Sequence, residues 1–289
     1  MSRLAYVTGR FLPLRQARVS VEDRGYQFAD GVYEVIKAID GEPLDLDRHL
    51  ARLDRSLSEL RIPKPLVGRA LEQVAREALR RHPLRFAILY LQVTRGTAAR
   101  AHAFPSGVRP NLVITVRRAQ FPGEAERREG VAVRTLPDLR WGRPDIKSIA
   151  LLPNVLAKQA ATEAGCREAW LIGTEGEVRE GSASNAWIVD GDGRLVTHPA
   201  DRRILAGITR SVVLELARAH GIEVVERPFS LEEALVAREA FLTSTTSLVL
   251  PVTRIDGRAV ANGRPGAITR ELARLYAARC GLPAEFARM

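Results

Sequence analysis

Three apolar runs, VYEVIKAI (32–39), FAILYLQV (86–93) and NLVITVR (111–117), are separated by stretches whose apolar residues recur every three or four positions. The runs are short, rich in β-branched and aromatic residues and bounded by turn formers, which is the pattern of largely buried strands. Between the first two, Leu46, Leu50, Leu53, Leu57 and Leu60 mark one helix face, and Val67, Leu71, Val74 and Ala78 mark a second. Strands interleaved with amphipathic helices commit the chain to a mixed α/β fold. No apolar run approaches the roughly 20 residues that a membrane-crossing helix needs.

The same rhythm resumes further on. Strands are expected at 131–136, 168–172, 185–190 and 239–243, with helices near 154–164, 209–220 and 267–279. Ser230 and Glu233 form a capping-box pattern for one more short helix. Between the two parts, RAQFPGEAERREG (118–130) loses its periodicity and gains charge, Pro and Gly. The expected organisation is a small N-terminal α/β domain (1–117), a linker (118–130) and a larger C-terminal domain (131–289), with the chemistry in the cleft between the two lobes.

Charge narrows the partners. The formal charge of +10 could suit nucleic acid, but Arg48, Arg52, Arg55 and Arg61 alternate with Asp47, Asp54 and Glu59, as on a solvated face. Neither a nucleic-acid nor a membrane partner is expected. Cys166 and Cys280 stand far apart, and the spacing of His49, His102 and His198 fits no metal signature, so no disulfide framework and no metal site is expected. The opening MSRLAYVTGRFLPLRQ lacks the apolar stretch of a secretory signal, which makes the cytoplasm the expected address.

Of the 44 cationic side chains only Lys37, Lys64, Lys147 and Lys158 are lysines. A lysine amine can lose its proton and attack a carbonyl, whereas a guanidinium stays charged. Lys147, in PDIKSIALLPN, follows a strand and has mainly apolar neighbours, which disfavour its ammonium form. Its surroundings suit an imine-forming amine or a strand-end lysine that snorkels to water. An imine-forming lysine calls for pyridoxal phosphate, which needs an anion site and a partner for its ring nitrogen. In LAGITR, Gly207 precedes a helix whose first N–H groups, from Ile208 and Thr209, suit a phosphate. Ser244, Thr245 and Thr246 offer further donors, and Glu180 offers a carboxylate for the ring nitrogen.

The strings DRGYQFADGVYEVIK (23–37), TRGTAARAHAFP (94–105), DIKS (145–148), EGSASN (180–185), THP (197–199), LAGITR (205–210) and TSTTS (243–247) resemble class IV pyridoxal-phosphate aminotransferases, most specifically the D-amino-acid branch. The resemblance implies the two-lobed architecture of fold type IV, with a β-barrel-like α/β C-terminal domain and the cofactor in the interdomain cleft. It implies that Lys147 holds the cofactor as a Schiff base and shuttles the substrate proton, that Glu180 pairs with the ring nitrogen, and that Leu205 packs on the ring. It further implies a phosphate site of Arg52, Ile208, Thr209 and Thr245 with Ser244 nearby. Tyr33, Arg100 and His102 match the family's trap for the substrate α-carboxylate, with Arg100 and His102 reaching across from the partner subunit of a homodimer. Trp141 falls at a position that would wall the substrate pocket. The reaction implied is transfer of an amino group from a D-amino acid to a 2-oxo acid. The alternatives are an L-branched-chain or (R)-amine aminotransferase of the same fold, or a non-catalytic nucleic-acid-binding protein.

Overall fold

The computed structural model describes residues 3–287, which divide into two compact units. Unit 1 comprises residues up to Ala119 together with Ile146–Ala150, and unit 2 comprises Gln120–Asp145 and the residues from Leu151 on. The domain boundaries expected from sequence differ from these in two ways. The stretch 118–130 is not a bare linker, because it contains a helix at Glu124–Glu129 whose first turn is closed by Gly123 N donating to Glu126 Oε2 at 2.8 Å. More consequentially, the five residues around Lys147 fold with unit 1 rather than with the C-terminal part of the chain.

In unit 1, β1 (Leu4–Val7), β2 (Arg10–Pro13), α1 (Arg24–Phe28), β3 (Gly31–Ile39), β4 (Glu42–Pro43), α2 (Leu46–Glu59), α3 (Ala70–Arg80), β5 (Phe86–Thr94) and β6 (Asn111–Arg118) follow in order. The six strands form one antiparallel sheet in the order β2-β1-β6-β5-β3-β4. The leucine stripe of α2 does what its period predicts, since Leu46, Leu53 and Leu57 are buried in a core with Val32, Ile36, Leu89, Leu91 and Ile114. Truncating a fully buried leucine of this kind costs about 2–5 kcal/mol. The second stripe starts later than its sequence suggests: α3 begins at Ala70, and Val67 is 80% exposed.

Unit 2 contains α4 (Glu124–Glu129), β7 (Val131–Pro137), α5 (Leu152–Glu163), β8 (Glu168–Ile172), β9 (Val178–Gly181), β10 (Asn185–Val189), β11 (Leu195–Thr197), α6 (Ile208–Ala219), β12 (Val224–Glu226), α7 (Leu231–Val236), β13 (Glu239–Ser244), β14 (Leu248–Ile255), β15 (Arg258–Ala259) and α8 (Ala267–Arg279). Its sheet runs β12-β11-β10-β13-β14-β7-β8-β9, with β15 on β14, and mixes parallel with antiparallel pairs. The sheet curls until its two edges meet: Glu177 bridges to Ser230, and Val178 N donates to Phe229 O at 2.9 Å, just past β12. That curl is the barrel-like character expected of this part. Its interior is filled by Trp170, Phe229, Ile188, Leu242 and Leu250, among others, and α7 contributes Ala234. All five residues of β10 are buried, as befits a strand covered on both faces. No helix among the described residues is long and apolar enough to cross a membrane.

Candidate active site

In unit 1 the segment 146–150 lies along β3. Tyr33 N donates to Lys147 O and Ile149 N to Gly31 O, both at 3.0 Å, and Ile146 is buried in the unit's core. Gly31 has room for no side chain here, because a Cβ would stand 3.0 Å from Ile149 Cδ1 of this segment and 2.6 Å from Val93 O on β5. The backbone of Lys147 is thereby fixed, and its half-buried side chain passes over Tyr33 with Nζ 4.3 Å from the ring centre. Its Nζ has no hydrogen-bond or ion-pair partner among the described residues. An amine held over an aromatic face is oriented without being consumed by a carboxylate. The other lysines differ. Lys64 pairs with Asp54, and Lys158 donates to Arg167 O.

Tyr33 stacks in turn on Tyr90, ring centres 5.7 Å apart, and burial together with Tyr33 pushes the Tyr90 phenol up to about 12. Below them lies an ionic cluster. Arg52 Nε and Nη2 donate to the two oxygens of Glu34, each at 2.8 Å, and His49 Nδ1 meets Glu34 Oε2 at 2.7 Å. Burial alone would raise the Glu34 carboxyl, but the charge and hydrogen bonds of Arg52, aided by His49, hold it at about 2. Burial pushes His49 down, Glu34 opposes this, and the charges of Arg52 and Lys147 push it down further. Arg52, expected at a phosphate, is therefore clamped by a bidentate pair, which fixes its direction.

The strings DRGYQF and TRGT are packed together. Asp23 caps α1 by accepting from Gly25 N, and it also accepts from Thr94 Oγ1 and Asn111 Nδ2. Gly96 has φ +112°, and a Cβ there would meet Arg109 O at 2.1 Å. The loop that follows exposes Arg100 and His102, both against Phe28: the Arg100 guanidinium is 4.6 Å from that ring centre and the His102 ring 5.5 Å.

In unit 2, Glu180 is buried on β9 and gathers donors. Arg140 Nη1 pairs with it, Asn185 Nδ2 donates at 2.9 Å, and Leu205 N donates at 3.0 and 3.2 Å to its two oxygens. Arg140 supplies a countercharge, and the donors together fix the direction of both oxygens. Arg140 is itself buried, yet Asp138 and Glu180 hold its pKa above the ordinary value. Asp138 accepts from Arg179 as well, and Arg179 bonds Glu177, so the charges alternate back from Glu180.

Asn185 ties this carboxylate to the next element. The same Nδ2 donates to Leu205 O at 3.0 Å. Two residues on, Gly207 is the N-cap of α6 and offers no side-chain cap, which leaves the first-turn N–H groups of Ile208 and Thr209 for an anion. The Thr209 hydroxyl is 3.3 Å from Tyr276 OH and buried. Asn185 pairs with Thr243 across β10 and β13, so the turn of Ser244 and Thr245 begins at the same end of the sheet. Ser244 Oγ accepts from Ser247 N at 2.9 Å, and Leu248 closes that turn with φ +60°, a strained conformation for leucine. Trp141 lies in the same unit and is exposed.

A pyridoxal phosphate needs an amine, an anion cradle and a carboxylate for its ring nitrogen. The residues present fit that group: an uncommitted Lys147 amine, an uncapped α6 N-terminus and a carboxylate already ringed by donors. Sequence reasoning missed Glu34, His49, Arg140, Asp138 and Asn185. Glu34 and Asn185 lay in singled-out strings, but no local spacing marks their roles, because His49 and Arg52 for Glu34, and Glu180 and Leu205 for Asn185, come from other elements.

The family described as amino-transferase class IV matches residues 31–255. The chain is 42% identical over 264 residues to a D-alanine aminotransferase of Bacillus licheniformis, covering 91% of this chain and 92% of the relative. It is 38% identical to one of Staphylococcus haemolyticus, covering 92% and 94%. Among solved structures it is similar to a T.th. branched-chain amino acid aminotransferase with pyridoxamine 5'-phosphate, at TM-score 0.89 and 27% identity, covering 99% and 97%. The same enzyme complexed with N-(5'-phosphopyridoxyl)-L-glutamate gives TM-score 0.88 and 27%, covering 99% and 97%. The branched-chain enzyme of Escherichia coli, at TM-score 0.87 and 24% identity over 97% and 95%, shares the fold.

Proposed function

The chain belongs to the class IV aminotransferases, and from that premise we propose that it transfers the amino group of D-amino acids to 2-oxo acids with pyridoxal phosphate. D-alanine is the substrate that the names of its relatives carry, and its pairing with 2-oxoglutarate, giving pyruvate and D-glutamate, is what the family resemblance implies. The observation that carries the chemistry is the Lys147 amine, held over Tyr33 with no hydrogen-bond or ion-pair partner among the described residues.

When bound, the cofactor supplies a protonated pyridine in conjugation with the substrate Cα, which disperses the electron pair left when the proton leaves. Glu180, whose carboxylate is directed by Arg140, Asn185 and Leu205, would hold that pyridine nitrogen in its protonated form. Ile208 and Thr209, with Ser244 and Thr245, would hold the phosphate, a role the family resemblance implies for Arg52 as well. Leu205 would back the ring. Lys147 would take the proton from the substrate Cα and deliver it to C4′ of the cofactor, and so has to be neutral and near when it acts.

Stereochemistry follows from the carboxylate. A substrate held through its carboxylate by Tyr33, Arg100 and His102 points one substituent of Cα at Lys147. For a D-amino acid that substituent is hydrogen, and for the L-form it is the side chain. Arg100 suits this task because a guanidinium offers a planar fork to a carboxylate. In the dimer that this reading implies, Arg100 and His102 serve the partner's substrate.

The solved neighbours act on branched-chain amino acids, which makes an L-branched-chain substrate the second reading. Supplying D-alanine, L-alanine and L-leucine separately with 2-oxoglutarate decides between them. Keto-acid formation confined to D-alanine supports the proposal. Formation mainly from L-leucine overturns it in favour of the second reading.

A further inference from the structure

The loop that presents Arg100 and His102 is held by a buried arginine. Arg24, on α1, is 3% exposed, and it directs its guanidinium at three consecutive carbonyls. Nη1 donates to Ala101 O at 2.6 Å and Ala103 O at 3.4 Å, and Nη2 donates to His102 O at 3.4 Å. Nε donates to Asp30 Oδ2 at 2.8 Å. Asp30 is shared with Arg95, whose Nε and Nη2 donate to its two oxygens at 2.7 and 2.9 Å. Arg95 also bonds the carbonyls of Leu60 and Arg61, just past α2, so the carboxylate is itself immobilised. Burial would raise the Asp30 carboxyl, yet the two guanidiniums hold it below its usual value.

A solvent-facing loop with no regular structure of its own would otherwise sample many directions. Here its carbonyls are fastened from beneath while its two functional side chains remain exposed. Phe28, one turn after Arg24 on α1, adds the surface on which Arg100 and His102 rest. Its ring also lies 4.9 Å from the Arg24 guanidinium, which packs the clamp against the platform.

We propose that Arg24 is a positioning residue for substrate recognition: by holding the carbonyls of Ala101, His102 and Ala103 on the Asp30 anchor, it sets the direction in which Arg100 and His102 present their donors. The proposal rests on the reading of Arg100 and His102 as ligands of the substrate carboxylate. It accounts for an arginine at this place, since a lysine would keep the charge beside Asp30 but has no planar fork to span three carbonyls.

The test compares Arg24→Lys, Arg100→Ala and the double variant, each loaded with pyridoxal phosphate, by KM and kcat for D-alanine, with cofactor affinity and melting temperature as controls. Misdirection of a binding group costs about tenfold or more. Arg24→Lys should raise KM by that factor with kcat, cofactor affinity and melting temperature little changed. In the double variant the KM should exceed that of Arg100→Ala by much less than tenfold, because the residue being positioned is gone. An unchanged KM in Arg24→Lys, with a raised KM in Arg100→Ala, overturns the proposal and leaves the carboxylate reading standing. An unchanged KM in Arg100→Ala removes the carboxylate reading itself. A fall in kcat or melting temperature without a rise in KM assigns Arg24 a purely structural role and also overturns the proposal. Should Arg24→Lys not fold, Phe28→Leu decides, since it removes the resting surface and leaves the Asp30 pairs intact. A KM rise without loss of kcat supports positioning from α1, and no change in KM contradicts it.

Discussion

Asn185 Oδ1 stands 2.1 Å from the point where a Cβ on Gly207 would lie. The amide cannot simply swing aside, because its nitrogen bonds both Glu180 and Leu205 O. One side chain thus links Glu180 to the loop that opens α6, and glycine is the residue that lets the two come together.

Gly207→Ala is therefore expected to weaken cofactor binding. The backbone at Gly207 has φ −67°, which alanine adopts freely, so the defect is steric rather than conformational. Displacing a buried hydrogen-bonded amide costs about 1–3 kcal/mol, which corresponds to roughly tenfold to hundredfold in the dissociation constant for pyridoxal phosphate. Titration of the cofactor-free protein by fluorescence measures it, and an unchanged constant would show that Asn185 is not held as described.

Glu180→Gln tests the ring-nitrogen role. A glutamine still accepts from Leu205 N, but its amide turns a donor toward Asn185 or Arg140 and no longer supplies the charge. Loss of a preorganised charge at a reacting system lowers kcat by about 100-fold or more. Cofactor affinity should change by less than about tenfold, the worth of one hydrogen bond. Stopped-flow measurement of the D-alanine half-reaction separates the two, and a defect in binding alone would contradict the assignment.

The Glu34 cluster makes stability depend on pH. Folded Glu34 takes up its proton at about 2 and the unfolded group near 4.5. Between these values the unfolded chain binds more protons, so stability falls as the pH falls from 4.5 toward 2. His49 acts in the same sense from its ordinary 6.5 downward, because burial keeps it neutral when folded. Glu34→Gln should lose about 3–5 kcal/mol at neutral pH by leaving Arg52 buried against a neutral partner, and should flatten the dependence below pH 4.5. Urea unfolding at a series of pH values shows whether it does.

Much of the fold was legible where burial is periodic. The leucines of α2 and the apolar runs of β3, β5 and β6 report their own environment, and the structure places them within a residue or two of the expected bounds. Elements defined by partners elsewhere were not. Val178 and Glu180 lie in a turn-rich string, yet they form β9 because Ile172 and Leu171 pair with them. The charged α4 buries only Arg127 and so carries no apolar stripe. The Asp40–Gly41 turn, with both residues at positive φ, closes the hairpin of β3 and β4. Lys147 was identified by residue type and resemblance, but its place beside β3 was not, since a strand-side contact with Tyr33 leaves no trace in the spacing of either segment.

The most direct measurement is exchange of the alanine Cα proton in heavy water by the cofactor-loaded protein, followed by NMR with no 2-oxo acid present. The account predicts exchange from D-alanine and little from L-alanine, slowed at least about 1,000-fold by Lys147→Ala, the scale of a lost proton-transfer group. Undiminished exchange in Lys147→Ala, or faster exchange from L-alanine, would contradict the role assigned to the amine above Tyr33.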